Sequence, residues 1–125
     1  MQVQQSTLYG SVPLSIEEVR TRADALFNAV EPSRRPLWNV DHTVLTYGES
    51  TDGISRTTVV KLIPSGSSTE FELTFTQNHP LPRIPGMQRA FDAMVKSGCQ
   101  KLLALIGTKA TTLRTIQSPR DTGLV

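Results

Sequence analysis

Ser15 and Glu18 constrain this chain more than any other pair of residues. Ser15 stands three residues before Glu18, which makes a capping box at a helix start. The serine hydroxyl accepts from an early helix N–H, and Glu18 is expected to reach back to the N–H of Ser15. Leu14 before the cap and Val19 after it close a hydrophobic staple. Ile16, Val19, Ala23, Leu26, Phe27 and Val30 then recur at three- and four-residue intervals. This spacing predicts a helix over 16–30 with one apolar stripe. Arg20, Arg22 and Asp24 fall largely outside the stripe, and Pro32 and Pro36 prevent continuation.

Strands surround this helix. Ser6 to Val12 is short and β-prone, with Leu8, Tyr9 and Val12 as its apolar members, and Pro13 ends it. Val40 to Tyr47 and Ile54 to Ile63 read as two strands joined by a turn over Glu49 to Gly53, with Asp-Gly inside it. After a turn over Pro64 to Ser68, Glu70 to Thr76 alternates cleanly. Phe71, Leu73 and Phe75 face one side, and Glu70, Glu72 and Thr74 the other. These three segments predict an antiparallel meander with one buried face.

His79 to Gly86 (HPLPRIPG) reads as an extended, stiff connection. A second helix is expected from Met87 to Ser97, with Met87, Ala90, Phe91, Met94 and Val95 inward and Gly98 as its C-terminal cap. Leu102 to Ile106 reads as a short buried strand, with a helix extension as the alternative. Gly107 to Ala110 is a turn, Thr111 to Ile116 a last strand, and 118–125 a loose tail. The predicted class is α+β: an antiparallel sheet or partial β-barrel with two helices, in the order β-α-β-β-β-α-β-β.

Composition narrows the function classes. The 125 residues suit a single domain, 1–125. Only 38% are apolar and 6% aromatic, which is lean for a free-standing globule. Such a composition fits a thin core, a mobile tail, or a face completed by a partner. The net charge of +2 is carried by scattered basic residues, apart from the adjacent Arg34 and Arg35, so it reads as a solvated surface. One cysteine, Cys99, forms no internal disulfide, which points to a reducing compartment. The first residues lack a signal-peptide pattern, and the longest apolar run, Leu102 to Ile106, is too short to span a membrane.

No catalytic constellation is apparent. Cys99 lies in no cysteine-protease signature, and the two histidines, His42 and His79, have no close carboxylate cluster. Asp41 and His42 would point to opposite faces of a strand. Glu70 and Glu72 share one strand face, as metal-holding carboxylates of triphosphate tunnel enzymes do in a Glu-x-Glu-x-Lys pattern. Thr74 stands where that pattern has lysine, and no second pair appears. Catalytic, cofactor-binding and metal-binding residues are therefore none, with no cofactor expected. Trp38, near Arg34 and Arg35 in a proline-stiffened link, suits an interface hot spot. Tyr9 offers a further exposed aromatic. Tyr9, Arg34, Arg35 and Trp38 are the candidate partner-binding residues.

The segments QQSTLYGSV (4–12), SIEEVRTRADALFNAVEPS (15–33) and DHTVLTYG (41–48) together resemble the start of subunit eighteen of the Mediator head module. The family pattern is a short strand, a helix of similar length, a proline-containing link and a strand around a His or Arg. The resemblance implies a barrel-like sheet related to the tunnel enzymes but without their activity. It also implies pairing with subunit twenty, a grip on a C-terminal helix of subunit eight, and a contribution to contact with RNA polymerase II. Family members run longer and close the barrel with further strands, so a sheet completed by partners is expected here. On this basis the chain is expected to be a nuclear, non-catalytic subunit of a transcription assembly, with no membrane association. The alternative is a small α+β nucleic-acid-binding module using Arg34, Arg35, Arg56 and Lys61 for phosphate contacts.

Overall fold

The computed structural model describes residues 2–79 and 85–116. It is an α+β fold with two helices on one face of a six-stranded antiparallel sheet. The elements are β1 (Gln2–Val12), α1 (Ile16–Phe27), a single 3-10 turn (Pro32–Arg34), β2 (Leu37–Trp38), β3 (Val44–Thr51), β4 (Ile54–Ser65), β5 (Ser68–His79), α2 (Met87–Leu105) and β6 (Thr112–Ile116). The strand order is β2-β3-β4-β5-β1-β6, and the sheet does not close into a barrel.

The meander forms as the alternation requires. The β3–β4 turn is Asp52-Gly53, both at positive φ (53° and 78°), the conformation a tight two-residue hairpin demands. β4 and β5 pair from Ser65–Ser68 out to Ser55–Asn78. Phe71 and Leu73 face the helices and are buried, while Glu70, Glu72 and Thr74 lie on the opposite face. β1 returns between β5 and β6, so Leu8 sits opposite Leu73 and is fully buried. The core is Leu8, Val12, Leu62, Phe71 and Leu73 from the sheet, Ile16 and Val19 from α1, and Phe91, Val95, Cys99 and Leu103 from α2.

Two close fits fix β1 in this core. Gly10 pairs with Phe71 and leaves no room for a side chain: a Cβ there would lie 2.4 Å from the Phe71 ring. Thr69 is fully buried, and its hydroxyl donates to the carbonyl of Leu14 at 2.8 Å. A buried hydroxyl needs such a partner.

The helices differ from the sequence expectation in four respects. Ser15 caps α1, accepting from the N–H of Glu18 at 3.2 Å, but the Glu18 carboxylate takes Arg22 (2.9 Å) instead of reaching back. Helix α1 ends at Phe27, three residues earlier than predicted. Helix α2 runs through Gly98 to Leu105, so Leu102 to Ile106 is not a strand. Phe91, Val95, Cys99 and Leu103 are spaced by four, and this single buried stripe outweighs the helix cost of one glycine. Ala90 and Met94, expected inward, are exposed. Helix α2 stops at Gly107, where Gly107 N–H donates to Ala104 and Thr108 N–H to Leu103.

Arg22 joins the helices. Its Nη1 donates to the carbonyls of Ile106 (3.0 Å) and Gly107 (3.2 Å), placing a cation at the carbonyl-rich end of α2. Strand β3 begins at Val44, not Val40, because Asn39 folds residues 39–43 into a turn. Its Oδ1 accepts from the N–H groups of Thr43 (2.8 Å) and Val44 (2.9 Å). Most of the proline-rich connection (80–84) and the tail (118–125) lie outside the described residues, as does the His79 side chain.

Candidate functional site

The helices do not cover their face of the sheet evenly. Over β3 and β4 a groove of about 370 Å3 remains open. Its floor is Leu45, Tyr47, Thr58 and Val60. One wall is Leu26 and Phe27 from the end of α1 with Val30 just beyond it, and the other is Leu102 and Leu105 from the end of α2. Inward it meets a cavity of about 80 Å3 between the helices and the sheet, which Cys99 also lines. Along α2 it continues into a hollow of about 300 Å3 lined by Phe75, Met94 and Gly98 among others. Leu105 is 69% exposed, Met94 52% and Val30 36%, so apolar surface extends past the rim.

At its outer end the groove reaches the edge of β3. Leu62 N–H donates to Thr43 O (2.7 Å), so odd-numbered residues of β3 turn their backbone groups toward β4. Asn39 N–H donates to Val44 O (2.9 Å), so even-numbered residues face the other way. Strand β2 is two residues long and pairs only with Leu45 and Thr46. Gly48 and Ser50 therefore direct their N–H and C=O groups outward, and no described strand pairs with them. A polar cleft of about 460 Å3 runs along this edge, between Ser33 and Arg34 on one side and Tyr47 to Thr51 on the other.

The structure does not bring the four candidate residues into one site. Trp38 is half-buried; its Nε1 donates to Asp24 Oδ1 (2.9 Å), and its ring packs against the core and near His42 (5.8 Å). Arg35 is spent on the end of α1, donating to Val30 O (2.8 Å) and Asn28 O (3.3 Å). Arg34 alone stands at the groove, lining both it and the polar cleft. Among the described residues its guanidinium makes no hydrogen bond or ion pair. Tyr9 lies on the opposite face, in a cross-strand row of Arg114, Tyr9, Glu72 and Lys61. The Arg114 guanidinium sits over the Tyr9 ring at 5.2 Å, a cation–π contact. A hydrogen bond with Glu70, helped by desolvation, holds the Tyr9 phenol above its ordinary value.

The remaining chemical candidates are also dispersed. Glu70 and Glu72 lie on the face away from the helices, on an open sheet rather than inside a tunnel. Asp41 and His42 sit in the turn before β3, where Arg20 donates to both their carbonyls (3.1 and 2.8 Å). Burial pushes the Cys99 thiol up to about 11, so it is a neutral thiol at physiological pH.

Leu102 and Leu105, the groove wall on α2, lie in the stretch for which the sequence suggests a short buried strand with a helix extension as the alternative, and the structure has the helix. The four-residue spacing from Phe91 to Leu103 was the signal that would have placed them on a helix. Compared with known proteins, the chain matches no family model, no curated protein and no solved structure.

Proposed function

We propose that this chain is a non-catalytic binding subunit that holds an apolar segment of another protein in the groove over β3 and β4. The observation that carries this reading is the open groove itself, with Leu105 exposed on its wall. Contiguous apolar surface with a polar rim marks an interaction site. A small ligand would fill the hollow but leave Leu105, Met94 and Val30 facing water, whereas a protein segment covers all three. The finer form of the proposal, a nuclear subunit resembling the Mediator head protein, is supported by the sequence pattern alone.

The nucleic-acid alternative has less support. Its four cations do not share a surface: Arg34 lines the cleft, Arg35 holds backbone carbonyls, Arg56 donates to Gln77 on the helix side, and Lys61 lies on the other face.

The test is affinity purification of the tagged chain from its native cells at moderate salt, beside the variant Leu105→Glu. A near-stoichiometric protein partner should accompany the natural chain and be lost from the variant. Identical partners with both chains, or none with either, would remove the proposal. Recovery of Mediator subunits would support its finer form.

A further inference from the structure

The edge of β3 bears on the form such a segment would take. We infer that Gly48 and Ser50 take up an extended segment of another protein as a further strand, in the cleft between Arg34 and β3. This rests on the groove reading above and specifies the conformation of the occupant.

Three observations carry it. The backbone groups of Gly48 and Ser50 point out of the sheet without a strand partner among the described residues, and an incoming strand supplies their hydrogen bonds. Gly48 has no side chain to obstruct the approach. The cleft beside them has room for a chain, and the groove begins at the same residue, Tyr47, that lines the cleft. A residue opposite Tyr47 on the added strand projects to the helix side, where Val30 and Pro36 line the groove mouth. Arg34, with no counter-ion among the described residues, faces the same cleft. The occupant is therefore an extended segment with alternating apolar side chains and a carboxylate placed against Arg34.

A second copy of this chain fits poorly. Two-fold antiparallel pairing of β3 edges sets Gly48 against Ser50 of the other copy, because Thr46 is already taken by β2. That register places Glu49 directly opposite Glu49, and like charges in that position destabilise a sheet.

The test selects a displayed library of random dodecapeptides on the full chain, then repeats binding with Gly48→Pro, Arg34→Glu and Leu105→Glu. The Gly48 N–H points away from β4, so proline at this edge position leaves the β3–β4 ladder intact. Amide exchange on the β4 side checks that it does. Selected peptides should alternate apolar and polar residues and carry Asp or Glu. Their affinity should fall about tenfold or more with Gly48→Pro, which removes a backbone donor and blocks the edge. N-methylating alternate peptide residues should do the same without altering the protein. Bound peptide should slow amide exchange at Gly48 and Ser50.

Peptides with helical apolar spacing that survive Gly48→Pro but fail with Leu105→Glu would overturn strand addition and leave the groove reading standing. Failure to enrich any peptide would count against both. Self-association of the natural chain that Gly48→Pro abolishes would replace the partner strand with a second copy.

Discussion

Leu8, Leu73, Val60 and Leu45 form one row across the helix side of the sheet, yet they do not share one environment. Leu8 and Leu73 lie beneath the helices and are buried. Val60 and Leu45 are only partly buried and form part of the floor of an open groove. The β1–β5 half is thus closed over, whereas on the β3–β4 half only Leu62 is fully in the core and Leu45, Tyr47 and Val60 are covered in part. The lean apolar composition fits this division, because the apolar side chains close one part of the face more completely than the other.

Truncation should separate the halves most strongly. Leu8→Ala should cost about 2–5 kcal/mol, the range for a filled site that cannot collapse. Leu45→Ala should cost less, about 1–2 kcal/mol, because the side chain is only partly buried and borders the open groove. Urea unfolding of both variants measures the contrast, and equal losses would break it. Next is Gly10→Ala, which drives a methyl into Phe71 and the Thr112 carbonyl and should cost about 1–3 kcal/mol. The same substitution at Gly48, where the nearest heavy atom lies at 3.8 Å, should be nearly neutral.

A smaller effect is expected at Ser6, whose buried hydroxyl oxygen has no hydrogen-bond partner among the described residues. Ser6→Ala removes that unsatisfied group and should leave stability unchanged or raise it by up to about 1 kcal/mol. Leu105→Ser should stay within about 0.5 kcal/mol of the natural chain while reducing binding of an apolar fluorescent dye. The last effect appears only in alkali. The folded-state pKa of Cys99 is raised from 9.0 to about 11, so its contribution is intact below pH 9 and lost as pH rises toward 11. The stability difference between the natural chain and Cys99→Ala should shift against the natural chain across that window.

The sequence carried most of the sheet and less of the site. Phe71, Leu73 and Phe75 alternate so regularly that their facing was legible, and Asp-Gly at 52–53 marked its hairpin. The α2 boundary was only partly legible, because Gly98 resembles a helix end when read locally. The four-residue spacing of Phe91, Val95, Cys99 and Leu103 runs across that glycine, and their packing on one sheet shows that the helix continues. Trp38 and Arg35 had the chemistry of interface residues, but their hydrogen bonds tie them to Asp24 and to the end of α1. The groove was hidden for a different reason. It is an incomplete cover over Leu45, Tyr47 and Val60, and no residue pattern along the chain encodes which strands the helices cover only in part.

Native-state amide hydrogen exchange on the free chain tests the division between the halves most directly. Amides of β1 and β5 that bond to each other should exchange only through global unfolding. Those of β3 should exchange through a smaller local opening, fastest at Gly48 and Ser50. Equal protection along all four central strands, with Gly48 and Ser50 as slow as Leu8 and Leu73, would contradict the account.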